Sequence, residues 1–183
     1  MKIGFQQMRI YFVENKDKDY YGSLGIPQTV FVSDNNRNNV YHKVRTTDFN
    51  GIVDRDFLTD DDIEQINIYY PKLKILKYYS IENYMYHPDN LEDYFQSKEI
   101  KFDKNNYINE LTKEKNQVKD SIIISVRLSR TELPYFGKPK FNEQPMQNRF
   151  KNDQANLNQS ETIGKYLKSD DLEVFYKSLP MKT

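Results

Sequence analysis

A short β-branched run that ends in two aspartates is the feature that most constrains the fold of this chain. Residues 51–53 (Gly-Ile-Val) are typical of a strand buried in a parallel sheet. Asp54 and Asp56 follow directly. Ligand crevices of open α/β sheets lie outside the carboxyl ends of the strands, so we expect both carboxylates at such an edge. They face the same side if the segment is still extended, because strand side chains repeat every two residues.

Two neighbouring carboxylates repel each other unless a cation lies between them. Hard oxygen ligands suit Mg²⁺ or Mn²⁺, which makes Asp54 and Asp56 candidate metal ligands. The alternative is a solvated acidic turn, because residues 60–62 are also aspartates and acidic loops are common on protein surfaces.

Composition narrows the class of protein. A chain of 183 residues forms one domain, or one domain with a small appendage. Its 27 basic and 27 acidic residues leave no net charge, which excludes nucleic-acid binding through bulk charge alone. The absence of cysteine excludes disulfides and thiolate metal sites. No apolar run reaches the roughly 20 residues of a membrane span and no signal peptide is recognisable, so we expect a cytoplasmic protein without a membrane partner.

Strand and helix patterns alternate along the first 80 residues. Bulky β-branched and aromatic residues predict strands over 8–13, 29–32, 48–53 and 72–77. Helices are predicted over 16–24 and 60–69, and the segment 40–44 is either strand or helix. This order predicts an α/β fold with a mostly parallel sheet flanked by helices.

The second half of the chain has a mainly helical pattern. A charged helix is predicted over 108–130, although the isoleucine-rich segment 121–126 is also compatible with a strand. Prolines with many Asn and Gln predict an irregular loop over 133–158. Two short helices over 160–167 and 171–179 are expected to close the fold.

Two glutamates are further candidates at the same edge of the sheet. Glu14 ends the first predicted strand, so it is expected beside Asp54 and Asp56, where a carboxylate can bind metal or transfer a proton. Asn15 suits the left-handed backbone of a sharp turn after that strand. Glu82 follows a later predicted strand. The alternatives are a solvated loop residue for Glu14 and a helix cap or lysine partner for Glu82.

Other kinds of site find little support in the sequence. His42 and His87 are the only histidines and lack a partner at zinc-binding spacing, so each is expected to be structural or exposed. Neither the glycine-rich ATP loop nor the dinucleotide fingerprint occurs.

The chain resembles the TOPRIM domain, the Mg²⁺-dependent fold of topoisomerases, primases and OLD-type nucleases. That family has a Glu at the end of its first strand and an Asp-x-Asp at the end of a later one, as in Phe12-Val-Glu14 and Ile52-Val-Asp54-Arg-Asp56. More closely, it resembles the OLD-like TOPRIM nucleases of bacterial anti-phage defence, including the effector subunit of PARIS systems. That resemblance extends to Ser80-Ile-Glu82-Asn-Tyr-Met-Tyr-His-Pro88 and to the closing segment 172–182.

The resemblance implies a metal-dependent endonuclease that acts as a toxin, or effector, in antiviral defence. Its TOPRIM catalytic core would cover residues 1–98, and a mainly helical portion of the same domain would cover 99–183. Glu14 would act as general acid or base, Asp54 and Asp56 would hold Mg²⁺ or Mn²⁺, and Glu82 would support a metal. The resemblance also implies an ABC-type ATPase partner that releases the nuclease, host tRNA as substrate, and a homodimer.

Three alternatives remain open at this stage. One is an OLD-type nuclease that nicks DNA. Another is a catalytically inactive TOPRIM module that only docks on an ATPase, because Asn15 stands where the family usually has Gly. The third is a haloacid-dehalogenase-type phosphatase, from which the chain departs because Leu58 stands where that family has Thr or Val and a strand precedes the aspartates.

Overall fold

The computed structural model describes residues 8–128 and 145–181, with side chains described for 8–127 and 157–181. Four strands alternate with helices up to residue 76, namely β1 (Arg9–Glu14), α1 (Asp17–Ser23), β2 (Thr29–Asp34), α2 (Arg37–Thr46), β3 (Asn50–Val53), α3 (Asp60–Tyr69) and β4 (Leu73–Ile75). Within the described residues five further helices follow, namely α4 (Ile81–Met85), α5 (Pro88–Ser97), α6 (Lys104–Leu128), α7 (Pro145–Lys168) and α8 (Leu172–Phe175).

Two compact units make up the described chain. The first contains residues 8–54 and 63–76, and the second contains residues 55–62, 77–128 and 145–181. The chain therefore passes between the units more than once. A catalytic core that ends at residue 98 stays a prediction, because compactness alone does not define a functional domain.

The first unit is built on a four-stranded sheet in which all neighbours are parallel. The strand order is β2-β1-β3-β4, with Phe12 of β1 opposite Val32 of β2 and Gly51 of β3. The predicted α/β class with a mostly parallel sheet flanked by helices is confirmed. After β1 the chain adds β2 on one side of β1 and then returns to add β3 on the other side, so the strand order reverses between β1 and β3. Such a reversal is the topological switch point at which ligands bind in open α/β sheets.

Helices cover both faces of this sheet. Tyr11 and Phe31 are register partners, and Tyr21 of α1 stacks on Phe31 with ring centroids 5.2 Å apart, so α1 covers that face. Gly51 lies one residue beyond the register partner of Tyr11 and faces the opposite side. A Cβ atom built on Gly51 would lie 2.7 Å from Cγ2 of Val44 in α2. The glycine therefore lets α2 approach the sheet closely on this face.

The second unit is a helical assembly with its own buried core. Helices α6 and α7 pack antiparallel, because Lys115 Nζ donates to the carbonyl of Ser169 after α7 while Ile123 lies 3.4 Å from a Cβ position at Gly164. The buried core residues are Tyr78, Leu111, Val126, Ile163, Leu167, Phe175, Tyr176 and Leu179. In the described ranges, no helix is both long enough and apolar enough to cross a membrane.

Asn83 joins α4 to the end of the chain. Its fully buried amide accepts hydrogen bonds from the Ser80 backbone N–H (3.2 Å) and hydroxyl (3.1 Å). The same amide donates to the carbonyls of Leu179 (2.9 Å) and Tyr176 (3.3 Å). The two stretches that carry the resemblance, residues 80–88 and 172–182, therefore contact each other through the Asn83 side chain.

Several sequence predictions need correction. The predicted loop over 133–158 is wrong from Pro145 onward, where α7 begins; proline suits the first turn of a helix because its missing N–H is not needed there. Residues 133–144 lie outside the described residues. The segment 121–126 belongs to α6 and forms no strand, and 40–44 belongs to α2. The last predicted helix is shorter, since α8 ends at Phe175.

A carboxylate near the end of the chain is strongly stabilised in its charged form. Lys77 Nζ donates to Glu173, the Tyr78 hydroxyl donates to Glu173 Oε2 at 2.7 Å, and His87 Nε2 lies 3.3 Å from Glu173 Oε1. The hydrogen bond from Lys77 is the main cause that lowers the pKa of Glu173 to about 2, against partial burial. Burial and Glu173 together raise the pKa of Tyr78 to about 12.

Acid should therefore weaken the second unit in a defined pH window. Because folding lowers the pKa of Glu173, its charged form stabilises the fold above the ordinary pKa of 4.5, and this contribution is lost as pH falls toward 2. Glu173→Gln should flatten the fall of the unfolding midpoint in urea between these pH values. Glu161→Gln, on exposed α7 surface, is the control. An acid profile of Glu173→Gln as steep as that of the parent would contradict this role.

The packing at Gly51 predicts a marked cost for any side chain there. Gly51→Ala should destabilise the first unit by about 1–3 kcal/mol, because its methyl group would overlap Val44 and Val40 at 2.7 and 2.8 Å. Gly22→Ala is the matched control, since a Cβ there meets no atom within 4 Å. Urea unfolding measures both changes, and equal midpoints for the two variants would show that α2 does not pack on Gly51.

Candidate functional site

The end of β1 places Glu14 at the carboxyl edge of the sheet. Glu14 is the last residue of β1, and Asp34 is its register partner at the end of β2. Asn15 then takes a left-handed conformation with φ of 34°, and its N–H donates to the Asp34 carbonyl at 2.8 Å. Asparagine tolerates this conformation better than most side chains. The expected sharp turn after Glu14 is therefore present with Asn15 in place of glycine.

Glu14 and Asp54 meet at the switch point of the sheet. The backbone N–H of Asp54, directly after β3, donates to Glu14 Oε1 at 3.2 Å. Asp54 is nearly inaccessible, with 2% of its surface exposed. The two acids thus come from the two strands between which the strand order reverses, and a backbone hydrogen bond fixes the orientation of the Glu14 carboxylate.

Arg37 brings a positive charge to the same two residues. Its Nη2 donates to the Asp54 carbonyl at 2.9 Å, and its Nε lies 3.5 Å from Glu14 Oε1. Arg37 is the first residue of α2, directly after Asn36, whose side chain caps the helix by accepting from the Asn39 N–H at 3.0 Å. A buried guanidinium requires acceptors and a counter-charge. Glu14 supplies both.

Asp34 adds another carboxylate to the carboxyl ends of the strands. Its Oδ1 accepts the Asn35 N–H at 3.0 Å, whereas its buried Oδ2 has no hydrogen-bond partner among the described residues. Sequence reasoning missed Asp34 and Arg37, because residues 33–39 have the composition of a polar turn. The available signal for Asp34 was its position just after a predicted strand, the same signal that identified Glu14 and Asp54.

Asp56 lies in the second unit, on a tight turn. Its φ of 46° is left-handed, and its N–H donates to the Tyr79 carbonyl at 2.8 Å. Extended backbone therefore ends before Asp56, so the strand alternation that would align Asp54 with Asp56 does not apply. The turn is held by Arg55, which is 2% exposed and donates to the carbonyls of Leu58 (2.8 Å) and Lys77 (3.0 Å).

Glu82 also lies in the second unit. It occupies the first turn of the short helix α4, next to the buried Asn83. Its Oε2 is buried without a hydrogen-bond partner in the part of the chain that the structure describes. The predicted metal-binding roles of Asp56 and Glu82 stay predictions.

The acids at the switch point have oxygen donors of the type that a metal ion with few protein ligands would use. Within residues 8–128 and 145–181, no three or more acidic or histidine side chains are grouped to hold a metal. Mg²⁺, however, is commonly held by one or two carboxylates, with water and substrate phosphate oxygens completing its shell. Glu14 and Asp54 supply two carboxylates of the kind that such a site uses, and Asp34 is the register partner of Glu14 at the end of β2.

The turn that presents Asp56 should depend on Arg55. Arg55→Met should destabilise the protein by about 3 kcal/mol, because it leaves two carbonyls without their donor and removes the 2.8 Å ion pair with Asp60. Arg127→Met changes an exposed arginine of α6 and should shift stability by no more than about 0.5 kcal/mol. Urea unfolding compares them, and similar midpoints for the two variants would refute the structural role of Arg55.

Comparisons of this chain with protein-family models, with curated proteins and with solved structures found no match. The roles of Glu14 and Asp54 are therefore inferred from their position at the switch point and from the chemistry of their side chains.

Proposed function

We propose that this chain is a metal-dependent endonuclease with a TOPRIM-like active site. The observation that supports this most is the hydrogen bond from the Asp54 N–H to Glu14 at the switch point of a parallel sheet. The TOPRIM resemblance implies a Glu at the end of the first strand and an Asp-x-Asp at the end of a later one, and this hydrogen bond joins Glu14 to the first aspartate of that pair. The biological role proposed with it is a toxin or effector of anti-phage defence, which cuts host tRNA in the cytoplasm after release by an ABC-type ATPase.

In this proposal Glu14 and Asp54 hold the metal ion. Mg²⁺ or Mn²⁺ bound there would stabilise the charge that develops on a phosphodiester oxygen and lower the pKa of a bound water. Glu14 accepts or returns the proton of the attacking water, since a carboxylate at this position can serve as general base or acid. The Asp54 N–H keeps the Glu14 carboxylate in one orientation. Asp56 and Glu82 remain candidate ligands on the TOPRIM resemblance.

A second candidate function is a catalytically inactive module that docks on an ATPase. Two observations favour it: Arg37 already pairs with Glu14, and the described residues contain no group of three or more metal-binding side chains. In such a module the acids and Arg37 would stabilise the sheet edge without chemistry. This candidate predicts binding of a partner without metal-dependent cleavage.

The nuclease proposal predicts loss of cleavage when the acids at the switch point are neutralised. Purified protein is incubated with total tRNA or supercoiled plasmid, with and without Mn²⁺. Glu14→Gln and Asp54→Asn should each reduce cleavage about 10²–10⁴-fold, because they remove the proton acceptor and the anionic ligand with little change of shape. Asp61→Asn, an exposed aspartate at the start of α3, should cut at the parental rate.

The substrates distinguish the alternatives. Cleavage of tRNA supports the effector role, and nicking of plasmid alone supports an OLD-type DNA nuclease. If Glu14→Gln and Asp54→Asn cut as fast as the parent, the site assignment is wrong. If the parent cuts neither substrate, also when its ATPase partner is added, the docking module becomes the better account.

A further inference from the structure

The Arg37 guanidinium is a buried positive charge at the place where the proposed nuclease would bind a divalent cation. Arg37 is 6% exposed, and its hydrogen bonds include one to Glu14 Oε1 and one to the Asp54 carbonyl. The Glu14 side chain is 17% exposed, so water and salt screen this pair only weakly. A metal ion on Glu14 would therefore meet a like charge at short range.

We propose that Arg37 and a divalent metal ion compete for Glu14, so that Arg37 sets the metal concentration at which the site fills. This inference rests on the proposed function and identifies a positioning residue that controls its metal site. Without metal, Arg37 neutralises Glu14 and keeps the carboxylate from being buried with an unpaired charge. With metal, the guanidinium withdraws from Glu14, because a divalent ion offers the carboxylate a stronger electrostatic partner.

The hydrogen bond to the Asp54 carbonyl gives the Arg37 guanidinium a partner other than Glu14. The Arg37 Nη2 bond of 2.9 Å goes to a neutral backbone carbonyl, whereas the Nε contact of 3.5 Å goes to the carboxylate. The contact with the longer donor–acceptor distance is the weaker hydrogen bond. The bond to the Asp54 carbonyl does not involve the Glu14 carboxylate, so it can persist when Arg37 withdraws from Glu14.

Calorimetric titration with Mn²⁺ tests the competition directly. Arg37→Gln removes the charge and should bind Mn²⁺ about tenfold more tightly than the parent, or tighter still. Arg37→Lys keeps the charge and should bind with an affinity close to that of the parent. Arg45→Gln is the matched control, because it removes the same charge from an exposed position eight residues later on α2. It should leave the affinity unchanged.

The outcomes separate this proposal from the proposed function. If the parent and Arg37→Gln bind Mn²⁺ equally, and Glu14→Gln abolishes binding to both, the metal site stands and the competition is overturned. If neither protein binds Mn²⁺, both the metal-dependent function and the competition are overturned. Binding by Arg37→Gln that is tighter than that of the parent, and that is lost on adding Glu14→Gln, supports both.

A measurement on the unmodified protein tests the competition even if Arg37→Gln does not fold correctly. The Arg37 Nε–H resonance in a ¹H–¹⁵N spectrum is assigned by its loss in Arg37→Lys and followed during titration with diamagnetic Mg²⁺. The resonance should shift as the site fills, because the guanidinium loses its carboxylate partner. A resonance that stays fixed while backbone amides around Glu14 reach saturation overturns the proposal.

Discussion

The acidic edge of the sheet depends on the contacts made by the Glu14 carboxylate. Glu14 is the last residue of β1. Its carboxylate accepts a hydrogen bond from the backbone N–H of Asp54, directly after β3, and pairs with Arg37 of α2. Without such partners, a largely buried carboxylate would be costly, since desolvation of a charge outweighs most single contacts. The hydrogen bond and the ion pair therefore connect two strands and a helix at the point where the strand order reverses. The same point is where α/β sheets bind ligands.

Features that lie beside the candidate residues in sequence, and one glycine within β3, hold these residues in place. Gly51 lets α2 approach the sheet closely, and Asn36 caps the helix so that Arg37 begins it at the carboxyl edge. Asn15 ends β1 with a left-handed turn, which keeps Glu14 as its last extended residue. In the second unit, Arg55 and Asn83 hold turns through buried hydrogen bonds to backbone carbonyls. Polar side chains at turns and caps thus act together with apolar packing to place the candidate residues.

Strand positions could be predicted from sequence because β-branched and aromatic runs are local signals. The strand positions in turn predict the α/β class and the proximity of Glu14 to Asp54. Arg37 could not be predicted, since its role depends on α2 crossing over the sheet and no local pattern distinguishes it from other arginines. The helix beginning at Pro145 was missed because its Asn and Gln content favours loops, whereas tertiary packing against α6 decides its state. The left-handed backbone of Asp56 could not be predicted for a related reason, because Arg55 holds this turn through a hydrogen bond to a residue distant in sequence.

The central claim is that Glu14 belongs to a metal site at the switch point and that Arg37 is its partner in the absence of metal. Crystals of the unmodified protein soaked with Mn²⁺, with anomalous scattering recorded at the manganese edge, test it most directly. The account predicts an anomalous peak within coordination distance of the Glu14 carboxylate, with the Arg37 guanidinium withdrawn from Oε1. A well-occupied Mn²⁺ elsewhere, with Arg37 still bound to Glu14, would contradict it.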